Sequence, residues 1–90
     1  MNKRDLVDAV AASTGVARKD AAVVVDAVFG VITGALARRE KVAVGGFGTF
    51  DAREVATHAA RNPRTGAAVT VPAHHRPRFR AGRPLKDAVS

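Results

Sequence analysis

The segment from about Arg18 to Arg39 carries two apolar stripes side by side, and a chain of 90 residues has little else with which to cover them. Ala22, Val25, Phe29, Ile32 and Leu36 recur at steps of three and four residues, and Ala21, Val24, Val28, Val31 and Ala35 run beside them. That period predicts a helix. The β-branched residues lower its intrinsic propensity, and Val23-Val24-Val25 alone would suit a strand, but the sustained period and the length decide for helix. Ala17 is a poor N-cap, so Asp20 in the first turn must help through the helix dipole. Upstream, Asn2 caps a shorter helix, with Asp5 three positions on, Leu6, Val7 and Val10 as a narrow apolar stripe, and Ser13-Thr14-Gly15 to end it. One short helix and a small sheet hide less than two stripes expose. The surplus reads as a subunit interface.

Gly45, Gly46 and Gly48 punctuate two strand-like runs, Lys41 to Val44 and Thr49 to Val55, which predicts a hairpin with the glycines serving turn geometry. Gly46-Phe47-Gly48 does not extend to a dinucleotide fingerprint, and there is no phosphate-loop motif. From Ala56 to Ala73 large apolar residues vanish except Val69 and Val71, yet strand character persists on both sides of Asn62-Pro63-Arg64-Thr65-Gly66. That pattern predicts an extended two-stranded arm with a turn at its tip. Beyond it Pro77 and Phe79 alternate with Arg76, Arg78 and Arg80, giving one strand an apolar and a cationic face. Gly82, Pro84, Leu85, Ala88 and Val89 fit a short C-terminal helix. The order helix, helix, three strands, helix is an α+β fold.

Charge narrows the function. The formal net charge is +7. Residues 1–52 hold seven basic and six acidic side chains, and residues 53–90 hold eight and two, so nearly all of the excess lies in the second half. A polyanionic partner follows, either nucleic acid or an acidic membrane surface. Arginine, which outnumbers lysine eleven to four, suits bidentate phosphate contacts and narrow grooves, although a codon bias gives the same ratio. The absence of cysteine rules out disulfides and Cys-based zinc, and fits a reducing compartment. No continuous apolar run reaches the roughly 20 residues of a membrane span. The expectation is a soluble intracellular protein.

Arg76, Arg78 and Arg80 project from one strand face roughly 6.6 Å apart, while a DNA strand advances about 3.4 Å per phosphate, so each arginine can serve every second phosphate. A solvated strand face is the plain alternative, but no acid intervenes among the three. At the arm's tip Pro63 stands between Arg61 and Arg64, and its ring either wedges between base pairs or simply makes a turn with Asn62 and Thr65-Gly66. His58, His74 and His75 lack the spacing and the nearby carboxylate or thiol for a metal site; no metal and no cofactor is expected. Protonated in mild acid, they would strengthen phosphate binding.

Met1-Asn2-Lys3, Gly46-Phe47-Gly48-Thr49-Phe50, Arg61-Asn62-Pro63-Arg64-Thr65-Gly66 and the run from Pro77 to Lys86 together resemble the HU and integration host factor family of bacterial histone-like proteins, in register along the whole chain. The resemblance implies an intertwined dimer with a helical base of two N-terminal helices per chain, a three-stranded antiparallel sheet extended into a β-ribbon arm, and a short C-terminal helix. It implies a single domain over 1–90: a helical dimerisation region at about 1–40, sheet and arm at about 41–81 with the arm at about 53–76, and the last helix at about 83–89. Its implied DNA-binding residues are Lys3, Arg53, Arg61, Asn62, Pro63, Arg64, Thr65, Arg76, Arg78, Arg80, Arg83 and Lys86, with Pro63 intercalating. Val25, Phe29, Ile32, Leu36, Phe47, Phe50 and Phe79 would form the dimer core. Val55, Ala60 and Ala67 depart from the family's pattern, in which basic residues or glycine are common there.

The implied partner is double-stranded DNA, including nicked, gapped or bent DNA, bound in the cytoplasmic nucleoid by a homodimer or by a heterodimer with a paralogue. Site-specific bending is the nearest alternative. RNA or ribosome binding is another, disfavoured because the chain has no Trp or Tyr to stack unpaired bases. Dispersed carboxylates and the lack of a nucleophile–base constellation argue against an enzyme.

Overall fold

In the computed structural model, which describes residues 1–90, helix α1 (Lys3–Thr14) begins with the expected capping box. The Asp5 amide donates to Asn2 Oδ1 at 2.9 Å, and the Asn2 amide donates to the Asp5 carboxylate at 3.1 Å. Gly15, at φ 74°, closes the helix by donating its N–H to Ala11 O. Helix α2 spans Arg18–Ala37 and stops two residues short of the expected end. Arg39 adopts φ 64°, and the Glu40 amide reaches back to Ala35 O while the Arg39 amide reaches Leu36 O. This is a Schellman closure with arginine in the left-handed position usually given to glycine, which is why the sequence shows no stop there.

The chain forms two compact units, Met1–Gly34 and Ala35–Ser90. In the first, Val7, Ala21 and Val25 are buried, with Leu6, Val10, Ala11 and Ala22 packed around them. This core occupies one side of α2 only. Val24, Val28, Phe29 and Val31 stay exposed. By length and composition alone α2 is long and apolar enough to cross a membrane, although Asp20, Asp26, Gly30, Thr33 and Gly34 interrupt its apolar run. Asp26, near its middle, is ion-paired to Lys3 at 2.6 Å. A charge at that depth would cost about 2.5–3.5 kcal/mol in a bilayer.

The second unit holds strands β1 (Val42–Val44), β2 (Gly48–Val55), β3 (His58–Arg61), β4 (Ala68–Val71) and β5 (His74–Ala81), then helix α3 (Arg83–Val89). β1, β2 and β5 form an antiparallel sheet in that order, and β3 and β4 form a separate two-stranded ribbon. The expected continuous arm is therefore interrupted. Pairing runs from Gly48↔Ala81 to Val55↔His74, lapses at 56–57 and 72–73, and resumes at His58↔Val71 without a change of register. Pro72 explains the lapse, since it has no N–H to donate. Side chains fill in: Thr57 Oγ1 accepts from the Ala73 amide at 3.1 Å, and the His58 and His74 Nδ1 atoms lie 3.1 and 2.9 Å from the carbonyls of Ala56 and Pro72.

Of the three glycines assigned to turn geometry, Gly46 (φ 78°) fits that role, but Gly48 serves close approach. A methyl group there would lie 2.6 Å from the Phe79 ring. Phe79 packs between Phe50 and Phe47, with ring centroids 4.8 and 5.4 Å away, yet it remains 41% exposed and Phe47 remains 45% exposed.

Candidate nucleic-acid interface

Antiparallel pairing puts Asp51 opposite Arg78 and Arg53 opposite Arg76. Side chains alternate along each strand, so Asp51, Arg53, Arg76, Arg78 and Arg80 share one face of the sheet, and Phe50 and Phe79 share the other. The row of three arginines thus exists as the sequence predicts. An open recess of about 230 Å³ is lined by Arg53, Arg76, Pro77 and Arg78.

The expectation that no acid intervenes fails in space, because Asp51 arrives from the neighbouring strand. Its carboxylate accepts two hydrogen bonds from Arg78, both at 2.9 Å, and one from Arg80 at 3.1 Å. Only 15% of the Asp51 side chain is exposed, against 41% for Arg78 and 57% for Arg80. The hydrogen bonds from Arg78 hold the Asp51 carboxyl below the usual carboxylate range, with help from the charges of Arg78, Arg80 and Lys41 against the cost of desolvation. The same bonds raise the Arg78 guanidinium further.

Arg53 and Arg76 differ, since neither has an ion-pair partner. Two like charges directly across a strand pair repel. An anion laid between them relieves that repulsion, so this pair is the most available anion-binding element of the face.

Asp51→Asn is expected to free Arg78 and Arg80, to tighten binding of a polyanion at low salt and to steepen its salt dependence; titrations at several salt concentrations measure both. Because its carboxyl is depressed in the fold, Asp51 contributes stability that is present above the ordinary carboxylate range and lost as pH falls through the lower folded value. The Asn variant should accordingly lose part of the acid dependence of unfolding.

At the ribbon's end the Asn62 amide donates to Ala67 O at 2.8 Å and the Gly66 amide donates to Asn62 O at 2.7 Å, closing a loop of Pro63, Arg64, Thr65 and Gly66. Asn62 Oδ1 accepts from the Arg64 amide at 2.8 Å, and Thr65 Oγ1 from the Ala67 amide at 3.3 Å. These side chains are spent on the turn itself. Gly66 takes φ 73°. Pro63, Arg61 and Arg64 are exposed, so the tip presents an unencumbered ring between two cations.

Arg83 and Lys86 lie on α3, both exposed, with Arg83 3.9 Å from Asp87. Lys3 belongs to the helical unit, where it pairs with Asp26. Val25 is buried, Ile32, Leu36 and Phe50 are half-buried, and Phe29, Phe47 and Phe79 are exposed. No cluster of three or more His, Asp or Glu side chains has the geometry to hold a metal ion. Asp51 is the residue that sequence reasoning missed. Its signal is the strand register, which pairs positions 27 residues apart.

Residues 1–90 match the family model for bacterial DNA-binding proteins. The chain is 49% identical over 89 residues to the DNA-binding protein HU of Geobacillus stearothermophilus, covering 99% of each, and 49% identical over 89 residues to that of Staphylococcus aureus, again covering 99% of each. Among solved structures it resembles Anabaena HU in a cocrystal with DNA, with a TM-score of 0.94, 39% identity, and coverage of 100% of this chain and 98% of that one. HU from Thermotoga maritima gives a TM-score of 0.71 at 32% identity, with both chains fully covered. Matched along its whole length in sequence and in fold, the chain belongs to the family of bacterial DNA-binding proteins that includes HU.

Proposed function

We propose that this DNA-binding protein is architectural and non-enzymatic: residues 1–90 act as one domain, paired as a homodimer, that bends double-stranded DNA with little sequence preference and compacts and stabilises the bacterial nucleoid. The observation that carries the reading is the exposed Pro63 ring between Arg61 and Arg64, on a ribbon that leads back to the Arg53 and Arg76 pair. A ring with no N–H to satisfy can enter a base step and unstack it, while the guanidiniums hold phosphates and groove-floor acceptors. The Anabaena relative, crystallised with DNA, supports DNA as the ligand. Contacts to phosphates position a protein without reading bases, and a proline wedge reads deformability, so nicked, gapped or pre-bent duplexes should bind best.

Dimerisation is supported by what a single chain leaves uncovered. Among the hydrophobic side chains only Val7, Ala21, Val25 and Ala35 are buried, while Val24, Val28, Phe29, Val31, Phe47 and Phe79 are exposed. A second copy applied to the exposed face of α2 would bury Val24, Val28, Phe29 and Val31. Sedimentation should therefore give twice the chain mass at micromolar concentration, and the melting temperature should rise with protein concentration. A concentration-independent monomer would remove this part of the reading.

Pro63→Ala tests the bending mechanism. The ring lies outside every core cluster, so folding and dimerisation should be retained, while the bend measured by energy transfer between duplex ends should fall substantially. A variant that bends DNA as the parent does would show that the wedge is elsewhere.

A further inference from the structure

We propose that His74 is a fourth phosphate ligand in the row formed by Arg80, Arg78 and Arg76, and that it engages DNA with uptake of one proton. The inference rests on the DNA-binding reading above. His74 is two residues beyond Arg76 on β5 and so continues the same face. Its partner across the strands is Val55, which leaves the imidazole no carboxylate to satisfy it.

The ring's orientation is fixed by one contact. Nδ1 lies 2.9 Å from the Pro72 carbonyl oxygen, which can only accept, so Nδ1 carries the hydrogen in the neutral ring. The lone pair is therefore on Nε2, on the opposite side of the imidazole from the Pro72 carbonyl. A neutral Nε2 cannot donate to a phosphate oxygen. Once protonated it can, and the Nδ1 bond to Pro72 is kept and strengthened by charge.

The charged groups around it favour coupling to the ligand. On its own strand Arg76 shares its face, and on β2 Arg53 lies across from Arg76. A phosphate seated among Arg53, Arg76 and the imidazole would meet all three as donors. Glu54 and His75 face each other on the other side of the sheet, and β3 and β4 bring no carboxylate. His58 leans on Ala56 O, and its cross-strand partner is Val71. By strand alternation, neither His58 nor His75 lies in the arginine row. Binding should thus draw a proton from solvent onto Nε2, because only the protonated ring can donate there to a phosphate oxygen.

The test is the affinity of the full chain for a nicked duplex, at fixed ionic strength, between about pH 8 and pH 5.5. Calorimetry in two buffers of different protonation heat gives the protons taken up. The parent should gain about tenfold in affinity per chain over this range and show proton uptake on binding. His74→Gln should flatten the profile and abolish the uptake, His74→Arg should bind at every pH as the parent does in acid, and His58→Gln and His75→Gln should leave the slope intact. A slope that survives in His74→Gln, or a flat profile in the parent, overturns the role of His74 while leaving DNA binding standing. Failure of the parent to bind duplex DNA at any pH overturns both.

Discussion

The double variant Arg53→Ala, Arg76→Ala is expected to fold normally and to lose most of its salt-sensitive DNA affinity. The two guanidiniums face each other across β2 and β5 with no carboxylate on either, so the free protein gains nothing from having both. Their mutual repulsion predicts a melting temperature equal to or above the parent's. The bound state gains a great deal. Each phosphate contact contributes about 0.9 to the slope of log affinity against log salt, so loss of two contacts per chain should lower the slope by about two units, and by about three to four if the chain pairs as proposed. At moderate salt the affinity should fall by roughly a hundredfold or more. The matching pair Arg78→Ala, Arg80→Ala should lose less, because Asp51 already holds both side chains. Equal losses in the two double variants would show that Asp51 is displaced without cost and that the face acts as one uniform patch.

Gly48→Ala is expected to be the most damaging small substitution in the fold. A methyl group at this position would sit 2.6 Å from two atoms of the Phe79 ring and 2.7 Å from the Arg80 carbonyl oxygen. Phe79 packs against Phe47 and Phe50, and although its half-exposed ring has some room, the Arg80 carbonyl belongs to a paired strand and cannot retreat. Overpacking of this kind costs about 2–3 kcal/mol, which in a domain of this size lowers the melting temperature by roughly 10–20 °C. Gly46→Ala provides the contrast. Its methyl would meet nothing within 4 Å, and only the left-handed backbone at φ 78° opposes it, so the cost should be about 1–2 kcal/mol. Thermal denaturation at matched concentrations separates crowding from backbone strain.

The sequence and the fold agree wherever the governing interaction is local. Asn2 and Asp5 sit three residues apart, so their capping box is legible, as is the terminating Gly15. The alternation of Arg76 to Arg80 with Pro77 and Phe79 likewise announces its faces. What escaped reading depends on register or on three-dimensional neighbours. Asp51 lies 27 residues from Arg78, and a shift of one residue in pairing would have sent its carboxylate to the aromatic face. Gly48 looks like any other turn glycine until Phe79 is placed over it. Arg39 gives no warning that it will take the left-handed position at the end of α2, because arginine is not a residue chosen for that conformation. Pro72 has no N–H to donate in any fold, but its effect on a ladder depends on what stands opposite.

The gap opposite Pro72 has a mechanical consequence. A ribbon yields most easily where its rungs are missing, and here two consecutive rungs are absent while the strands on either side keep their original partners. Such a joint lets the outer segment lean without advancing one strand past the other. The proline at the apex therefore keeps its phase relative to the arginines at the root, whatever angle the outer segment takes.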